Sequence, residues 1–169
     1  LKSKLFVWAE RFLASISDAI IVISRSQMRE LGQHYRLAPK KKFSVVKLGF
    51  NLEAFSNVDK RKGEFKQYLG VPEYALLVGI IGRLVSIKNH RMFLRSASIF
   101  VKEHPEIPVK FVVVGDGELH EKLRSNAKKR GISKDVIFCG WERNLSRVYA
   151  DLDVLALTSI NEGTPVSII

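Results

Sequence analysis

Six short apolar runs alternate along this chain with stretches whose apolar residues recur every three or four positions, and no other feature constrains its fold as tightly. The runs cover residues 19–23, 43–48, 76–81, 109–114, 136–139 and 154–157. Each is short and continuous, the pattern of a strand covered on both faces. Strands that alternate with helices pair in parallel, because each helix carries the chain back along the sheet before the next strand begins. The sequence thus predicts an α/β architecture, a parallel sheet with helices on both faces.

The stretches between the runs fix the helices. Leu5, Trp8, Ala9, Phe12 and Ile16 share one face of a helix over 4–17. Ser24 and Gln27 stand at capping-box spacing and start a helix reaching about Tyr35. A short helix from Glu64 ends at Gly70, with Pro72 just beyond. Further helices over 90–102, 118–130 and 145–150 follow the third, fourth and fifth runs. Residues 57–63 are charged and thinly apolar, which reads as a linker. The expected organisation is 1–56 as the tail of one domain with a crossover, 57–63 as the linker, and 64–169 as a second domain truncated at its C-terminus.

Composition narrows the function classes. Apolar residues make up 46% of the 169 and charged residues 27%, as in an ordinary globular protein. No apolar run approaches the roughly 20 residues a membrane-spanning helix needs. Cys139 is the only cysteine, which removes an intramolecular disulfide and a Cys-rich metal site. His34, His90, His104 and His120 stand at no ligand spacing, so neither a metal nor a cofactor is expected. The chain opens on Leu1 without an initiator Met and reads as an internal cut, so its lack of a leader proves little. The net charge of +11 gathers at Lys40-Lys41-Lys42, Lys60-Arg61-Lys62 and Lys128-Lys129-Arg130. Three readings compete. A plain solvated face ranks first, and attraction to an anionic membrane second, at only ~1 kcal/mol per basic residue. Nucleic acid comes last, because the clusters lack the interleaved aromatics that stack bases.

Two loops carry the chemistry. The run 76–81 ends in Gly82-Arg83-Leu84-Val85-Ser86-Ile87-Lys88, and the run 154–157 leads to Glu162-Gly163-Thr164-Pro165-Val166-Ser167-Ile168. Gly82 permits a sharp turn, after which the Arg83 guanidinium can fork onto two phosphate oxygens and Lys88 can add a mobile point charge. In the second loop Gly163 allows close backbone approach, Pro165 suits the first turn of a helix, and the N–H groups around Thr164 are offered to phosphate. Glu162 can accept hydrogen bonds from sugar hydroxyls. Gly115-Asp116-Gly117 also follows a run and opens a helix, but His120 stands where a dinucleotide fingerprint needs its third glycine. Trp141, after the run 136–139, either stacks on a base or packs against the sheet. Cys139 reads as a buried small hydrophobe, with no activating base nearby in sequence.

Together these segments resemble the retaining nucleotide-sugar glycosyltransferases of the GT-B fold, glycosyltransferase family 4, over nearly the whole chain. The resemblance implies a Rossmann-like sheet that is the C-terminal, donor-binding half of a GT-B fold, with residues 1–56 the tail of the acceptor-binding domain. In that family the Arg and Lys of G-R-L-x-x-x-K hold the donor diphosphate, positions matched by Arg83 and Lys88. The family pattern E-G-x-P-x-x-x-x-E begins at Glu162, which would read the donor sugar; its second Glu, which holds the ribose, falls just after Ile169. Gly115 and Gly117 match a V-G-x-G-x loop lining the nucleotide cleft, with a simple tight turn as the equal alternative. The region of Trp141 passes beside the nucleobase. The stretch Lys47-Leu48-Gly49-Phe50-Asn51 departs from the family's usual P-N-G-V-D.

The leading expectation is therefore a glycosyltransferase fragment that binds a nucleoside-diphosphate sugar. The full protein would transfer the sugar with retention to a sugar, lipid-linked or other hydroxyl acceptor held by the missing N-terminal domain. Catalytic roles fall to Arg83, Lys88 and Glu162; Gly82, Gly115, Gly117, Trp141, Gly163, Thr164 and Pro165 would line the donor site. The fragment alone is expected to be inactive, with a cytoplasmic location that extends to peripheral contact with an anionic membrane. A non-catalytic sugar-nucleotide or phosphate-binding module is the alternative, and a basic nucleic-acid-binding domain a lesser one.

Overall fold

All strand pairing among the described residues is parallel, as the alternation of runs and helices requires. The computed structural model describes residues 2–162 and 164–169. By its internal contacts the chain divides into two units, one of Leu1–Phe50 with Glu162–Val166 and one of Asn51–Asn161 with Ser167–Ile169.

In the first unit α1 (Lys2–Ile16) leads to β1 (Ile20–Val22), then α2 (Arg25–Arg29) and β2 (Phe43–Val45), which pairs with β1 from Ile20↔Phe43. The Ser24 hydroxyl accepts from Gln27 N at 3.0 Å, so the cap forms as its spacing demands. The Gln27 carbonyl oxygen reaches back one residue further than expected, to Ile23 N at 3.0 Å. Beyond Arg29 the helix widens into a π turn, Glu30–His34. The Lys42 ammonium closes the end of α1 by donating to the carbonyls of Ala14, Ser15 and Ser17 at 3.0, 2.9 and 2.8 Å. Leu5, Trp8, Phe12 and Ile16, the expected apolar stripe of α1, are exposed.

The second unit holds α3 (Glu64–Leu69), β3 (Leu76–Ile81), α4 (His90–Glu103), β4 (Val109–Val114), α5 (His120–Lys129), β5 (Val136–Gly140), α6 (Leu145–Asp151) and β6 (Val154–Leu155). Its sheet runs in the order β5-β4-β3-β6. Period-two alternation splits β4 between two cores. Val109, Phe111 and Val113 meet Phe93, Leu94 and Ala97 of α4 and Leu123 and Ala127 of α5. Val112 and Val114, with Leu77 of β3, meet Phe65 of α3 and Val148 of α6. Both faces are thus covered. Helix α3 stops where expected, at Gly70 in the left-handed region (φ 66°).

Residues 57–63, expected as a linker, fall inside the second unit, and the chain parts earlier, between Phe50 and Asn51. Val58–Arg61 forms a 3-10 turn, Arg61 donates to Ser146 Oγ at 3.3 Å, and Gly63 N donates to Asp151. Charge and low apolarity marked the stretch as unanchored, but its anchor lies 88 residues away in sequence.

That anchor is a buried carboxylate, 4% exposed. Besides Gly63 N, Asp151 accepts from Phe65 N at 2.7 Å and Lys66 N at 2.8 Å. It serves the orphan donors at the start of α3 from across the core, a duty that a local cap residue usually performs. Asp153 starts β3 in the same way, accepting from Leu77 N at 2.7 Å and pairing with Lys66 at 3.4 Å. Asp151→Ala should therefore cost about 2–4 kcal/mol of unfolding free energy, because buried N–H groups lose their acceptor. Urea unfolding checks this: the midpoint should fall with an unchanged slope.

Candidate functional site

The strand order reverses at β3. The chain steps outward from β3 to β4 to β5, then returns past both to lay β6 on the other side of β3. Helices α4 and α5 cover one face and α6 the other, so the connections diverge on either side of β3. Ligands of open α/β sheets bind at the carboxyl ends of strands at such a reversal. The loop after β3 carries Gly82, Arg83 and Lys88 there.

This loop is held by the loop beside it. Gly82 N donates to Val114 O at 2.9 Å, Leu84 N to Asp116 O at 3.0 Å, and Leu119 N to Leu84 O at 3.0 Å. Gly115 N donates in turn to Gly140 O at 2.7 Å. The ends of β3, β4 and β5 are thereby laced into one backbone network. A Cβ on Gly115 would collide with Gly82 O, and one on Gly117 would lie 2.8 Å from Leu84 O. The two glycines are therefore needed for the loops to approach each other, a role in neither a dinucleotide fingerprint nor a simple tight turn. Leu84 is fully buried, and its neighbour Arg83 is thrown outward into solvent. The Lys88 stem folds back over the strand end, its Cδ and Cε 3.9 Å from where a Gly82 Cβ would stand. Arg83 and Lys88 thus belong to one short loop at the edge of the sheet.

The loop after β6 is tied to the same place. Ala156 N donates to Gly79 O at 2.7 Å and Ile160 N to Ile87 O at 2.9 Å. The Thr158 hydroxyl lies 3.0 Å from Lys88 O and 3.1 Å from Asn89 O. Of the remaining candidate residues, Glu162, Thr164 and Pro165 group with the first unit, and Pro165 precedes a 3-10 turn, Val166–Ile168, where a helix start was expected. Gly163 lies outside the described residues.

Trp141 follows Gly140 at the end of β5 and is 71% exposed, so it does not pack against the sheet. Beside it, burial pushes the Glu142 carboxyl up, but the Arg147 guanidinium and the backbone N–H groups of Asn144 and Arg143 outweigh this and hold it below the usual carboxylate range. Arg147 also lies 4.3 Å over the Tyr68 ring, so this ion pair serves packing. Gly117 N and the His120 ring hold the Asp116 carboxyl below its ordinary value as well. Burial, with Glu142 nearby, raises the Cys139 thiol to about 11, which leaves it inert as a nucleophile. Among the described residues no group of three or more His, Cys, Asp or Glu could hold a metal, and no helix is long and apolar enough to cross a membrane.

A family model described as "Glycosyl transferases group 1" matches residues 75–169, more than half of the chain and nearly all of the sheet just described. The chain belongs to the group 1 glycosyl transferases. Over 166 residues it is 28% identical to the UDP-Gal:alpha-D-GlcNAc-diphosphoundecaprenol alpha-1,3-galactosyltransferase of Escherichia coli, covering 97% of this chain and 42% of that protein. Over 93 residues, 55% of this chain and 25% of the relative, it is 40% identical to an alpha-1,4-N-acetyl-D-galactosaminyltransferase of Campylobacter jejuni. Its fold matches that of Anabaena HepE, crystallised with UDP and glucose, at a TM-score of 0.77 and 20% identity, over 95% of this chain and 43% of that one. The fold is that of GT-B enzymes. The chain spans about two fifths of the length of the E. coli relative and of HepE.

One residue of this glycosyl transferase domain escaped the sequence reading. His90 opens α4 two residues after Lys88, is 1% exposed, and has no hydrogen-bond partner for either ring nitrogen among the described residues. Its spacing to Phe93, Leu94 and Ala97 marks a core-facing position, a signal present in the sequence. Burial, aided by the Lys88 charge, lowers its pKa from 6.5 to about 4. The ring is therefore neutral at pH 7, and the Lys88 charge stands without a second cation behind it. A depressed histidine pKa means that the unfolded chain takes up the proton first, so stability is full above about 6.5 and falls as pH drops towards about 4. Between pH 6.5 and 4.5 this group should remove about 2–3 kcal/mol of stability. Urea titrations of the wild type and of His90→Leu at several pH values check this: the variant should lose that part of the slope.

Proposed function

We propose that the second unit binds the diphosphate of a nucleoside-diphosphate sugar at the β3–β6 edge, and that the complete protein transfers the sugar with retention to a hydroxyl acceptor. The observation that carries this reading is the Arg83–Lys88 loop at the reversal of strand order, with the Lys88 stem folded over Gly82. A forked guanidinium and an ammonium on one loop suit a diphosphate, whose charge grows as the bond from the anomeric carbon to the phosphate oxygen breaks. The bonding pair passes to that oxygen, the acceptor hydroxyl bonds the anomeric carbon from the same face, and its proton passes to the departing phosphate. No side chain of this unit is then needed as a base.

In this reading Glu162 accepts from donor-sugar hydroxyls, backbone N–H groups around Thr164 meet phosphate, and exposed Trp141 offers a face to the nucleobase. The family resemblance of these segments supports those roles, as do the UDP and glucose in the HepE crystal and the UDP-galactose in the E. coli relative's name. That relative's name gives as its acceptor a GlcNAc carried on a lipid diphosphate. An acceptor of this kind would bring the protein to a membrane surface on the cytoplasmic side, where a net charge of +11 favours anionic lipid. Each basic cluster nevertheless has one member engaged in the fold: Lys42 at the end of α1, Arg61 on Ser146 and Arg130 on Asn126. We further propose that the chain by itself binds donor without transferring sugar, because the family's acceptor domain lies mostly in the part of its relatives that it does not span.

Calorimetry with UDP tests the phosphate assignment. Arg83→Ala and Lys88→Ala should each weaken binding by about 1.5–3 kcal/mol, the value of a charge-assisted hydrogen bond, with little change in melting temperature. Unchanged affinity in both variants would place the phosphates elsewhere. Glu162→Ala should impair a UDP-sugar more than UDP by roughly 1.5–3 kcal/mol. Equal loss for both ligands, tracking lost stability, would instead make Glu162 a structural residue.

A further inference from the structure

We infer that Thr158 is a positioning residue for Lys88, fixing from the β6 loop the turn that aims the ammonium. Lys88 ends a 3-10 turn, Ser86–Lys88, closed by Lys88 N to Val85 O and Asn89 N to Ser86 O, both at 3.1 Å. The next residue, Asn89, sits in the left-handed region (φ 50°, ψ 43°), a conformation that asparagine tolerates better than most non-glycine residues. That conformation presents successive carbonyls of the turn to the β6 loop. Ile87 O accepts from Ile160 N at 2.9 Å, and the single Thr158 hydroxyl proton is shared between Lys88 O at 3.0 Å and Asn89 O at 3.1 Å. Three consecutive carbonyls are therefore met by donors from a segment 70 residues away.

Within the turn the local bonds are those of Lys88 N and Asn89 N, and Met92 N of α4 donates to Asn89 O at 2.9 Å, so Thr158 is the side chain that ties the turn to the β6 loop. Ser86 and Ile87 are exposed, and the buried anchors, Leu84 and His90, stand on either side of it. Removing the hydroxyl should free the Val85–Asn89 segment to relax from its left-handed kink while the two cores stay packed. The backbone that carries the Lys88 stem would then sample several conformations, and the contact of its ammonium with a diphosphate would weaken through lost preorganisation. This inference rests on the reading that Lys88 meets a donor diphosphate.

The test pairs Thr158→Val, which keeps the side-chain shape without the hydroxyl, with Thr158→Ser, which keeps the hydroxyl. UDP affinity should fall roughly five- to tenfold in T158V and stay within about twofold of wild type in T158S, the scale of one hydrogen bond. In a Lys88→Ala background, T158V should change UDP affinity no further, which a merely structural role would not produce. Amide exchange at Lys88, Asn89 and Ile160 should quicken in T158V while the amides of β3 and β4 stay protected. UDP affinity lost in K88A but kept in T158V would overturn the inference and leave the phosphate reading standing. An equal loss from T158V with and without Lys88 would also overturn it, as would UDP affinity kept in K88A, and the phosphate reading falls as well only if Arg83→Ala keeps that affinity too.

Discussion

The backbone contact between the loop after β3 and the loop after β4 is the constraint on which the rest of the site depends. Gly115 and Gly117 lie so close to Gly82 and Leu84 that no side chain fits between them. The approach lets Gly82 and Leu84 donate to Val114 and Asp116 and lets Leu84 accept from Leu119. With Leu84 buried, the chain has one course open to it at that edge, and Arg83 faces outward as a result. A charged side chain on a free loop loses entropy each time it engages a ligand; one on a loop fixed by its neighbours has already lost most of it.

Much of this was legible in the sequence because it follows from local pattern. The strands Leu76–Ile81 and Val109–Val114 lie where their apolar runs begin and end, and the Gly70 stop of α3 follows from local chemistry alone. The shorter strands β1, β2 and β6 end before their runs do, since an apolar run marks burial and not the length of the ladder. The failures share a cause, in that each depended on a partner distant in sequence. Residues 57–63 read as a linker because nothing local shows that Asp151 would bind Gly63. The roles of Gly115 and Gly117 were left open for the same reason: the backbone they make room for is some 30 residues upstream. Nothing local shows that the Thr158 hydroxyl reaches the turn of Lys88, 70 residues upstream.

Electrostatics at the edge follow from the same packing. His90, buried two residues beyond Lys88, is kept neutral by burial and by the neighbouring ammonium, so it adds no charge to the edge at neutral pH. The other perturbed groups of the unit are accounted for by structure. Glu142 is paired with Arg147, Asp116 with Gly117 N and His120, and Cys139 is held protonated. Perturbed pKa values often mark reactive groups. Here they mark packing, and the proposed phosphate contacts fall to Arg83 and Lys88 on a loop fixed by its neighbours.

The assignment of the diphosphate to that place is tested most directly by mapping UDP onto the isotope-labelled chain through amide chemical shifts. The expected result is a set of saturable shifts confined to residues 82–89, 115–117, 140–142 and 162–166, the segments proposed to line the donor site. Shifts centred on the opposite edge of the sheet around Tyr74 and His104, or on the Lys40–Lys42 cluster, would contradict it.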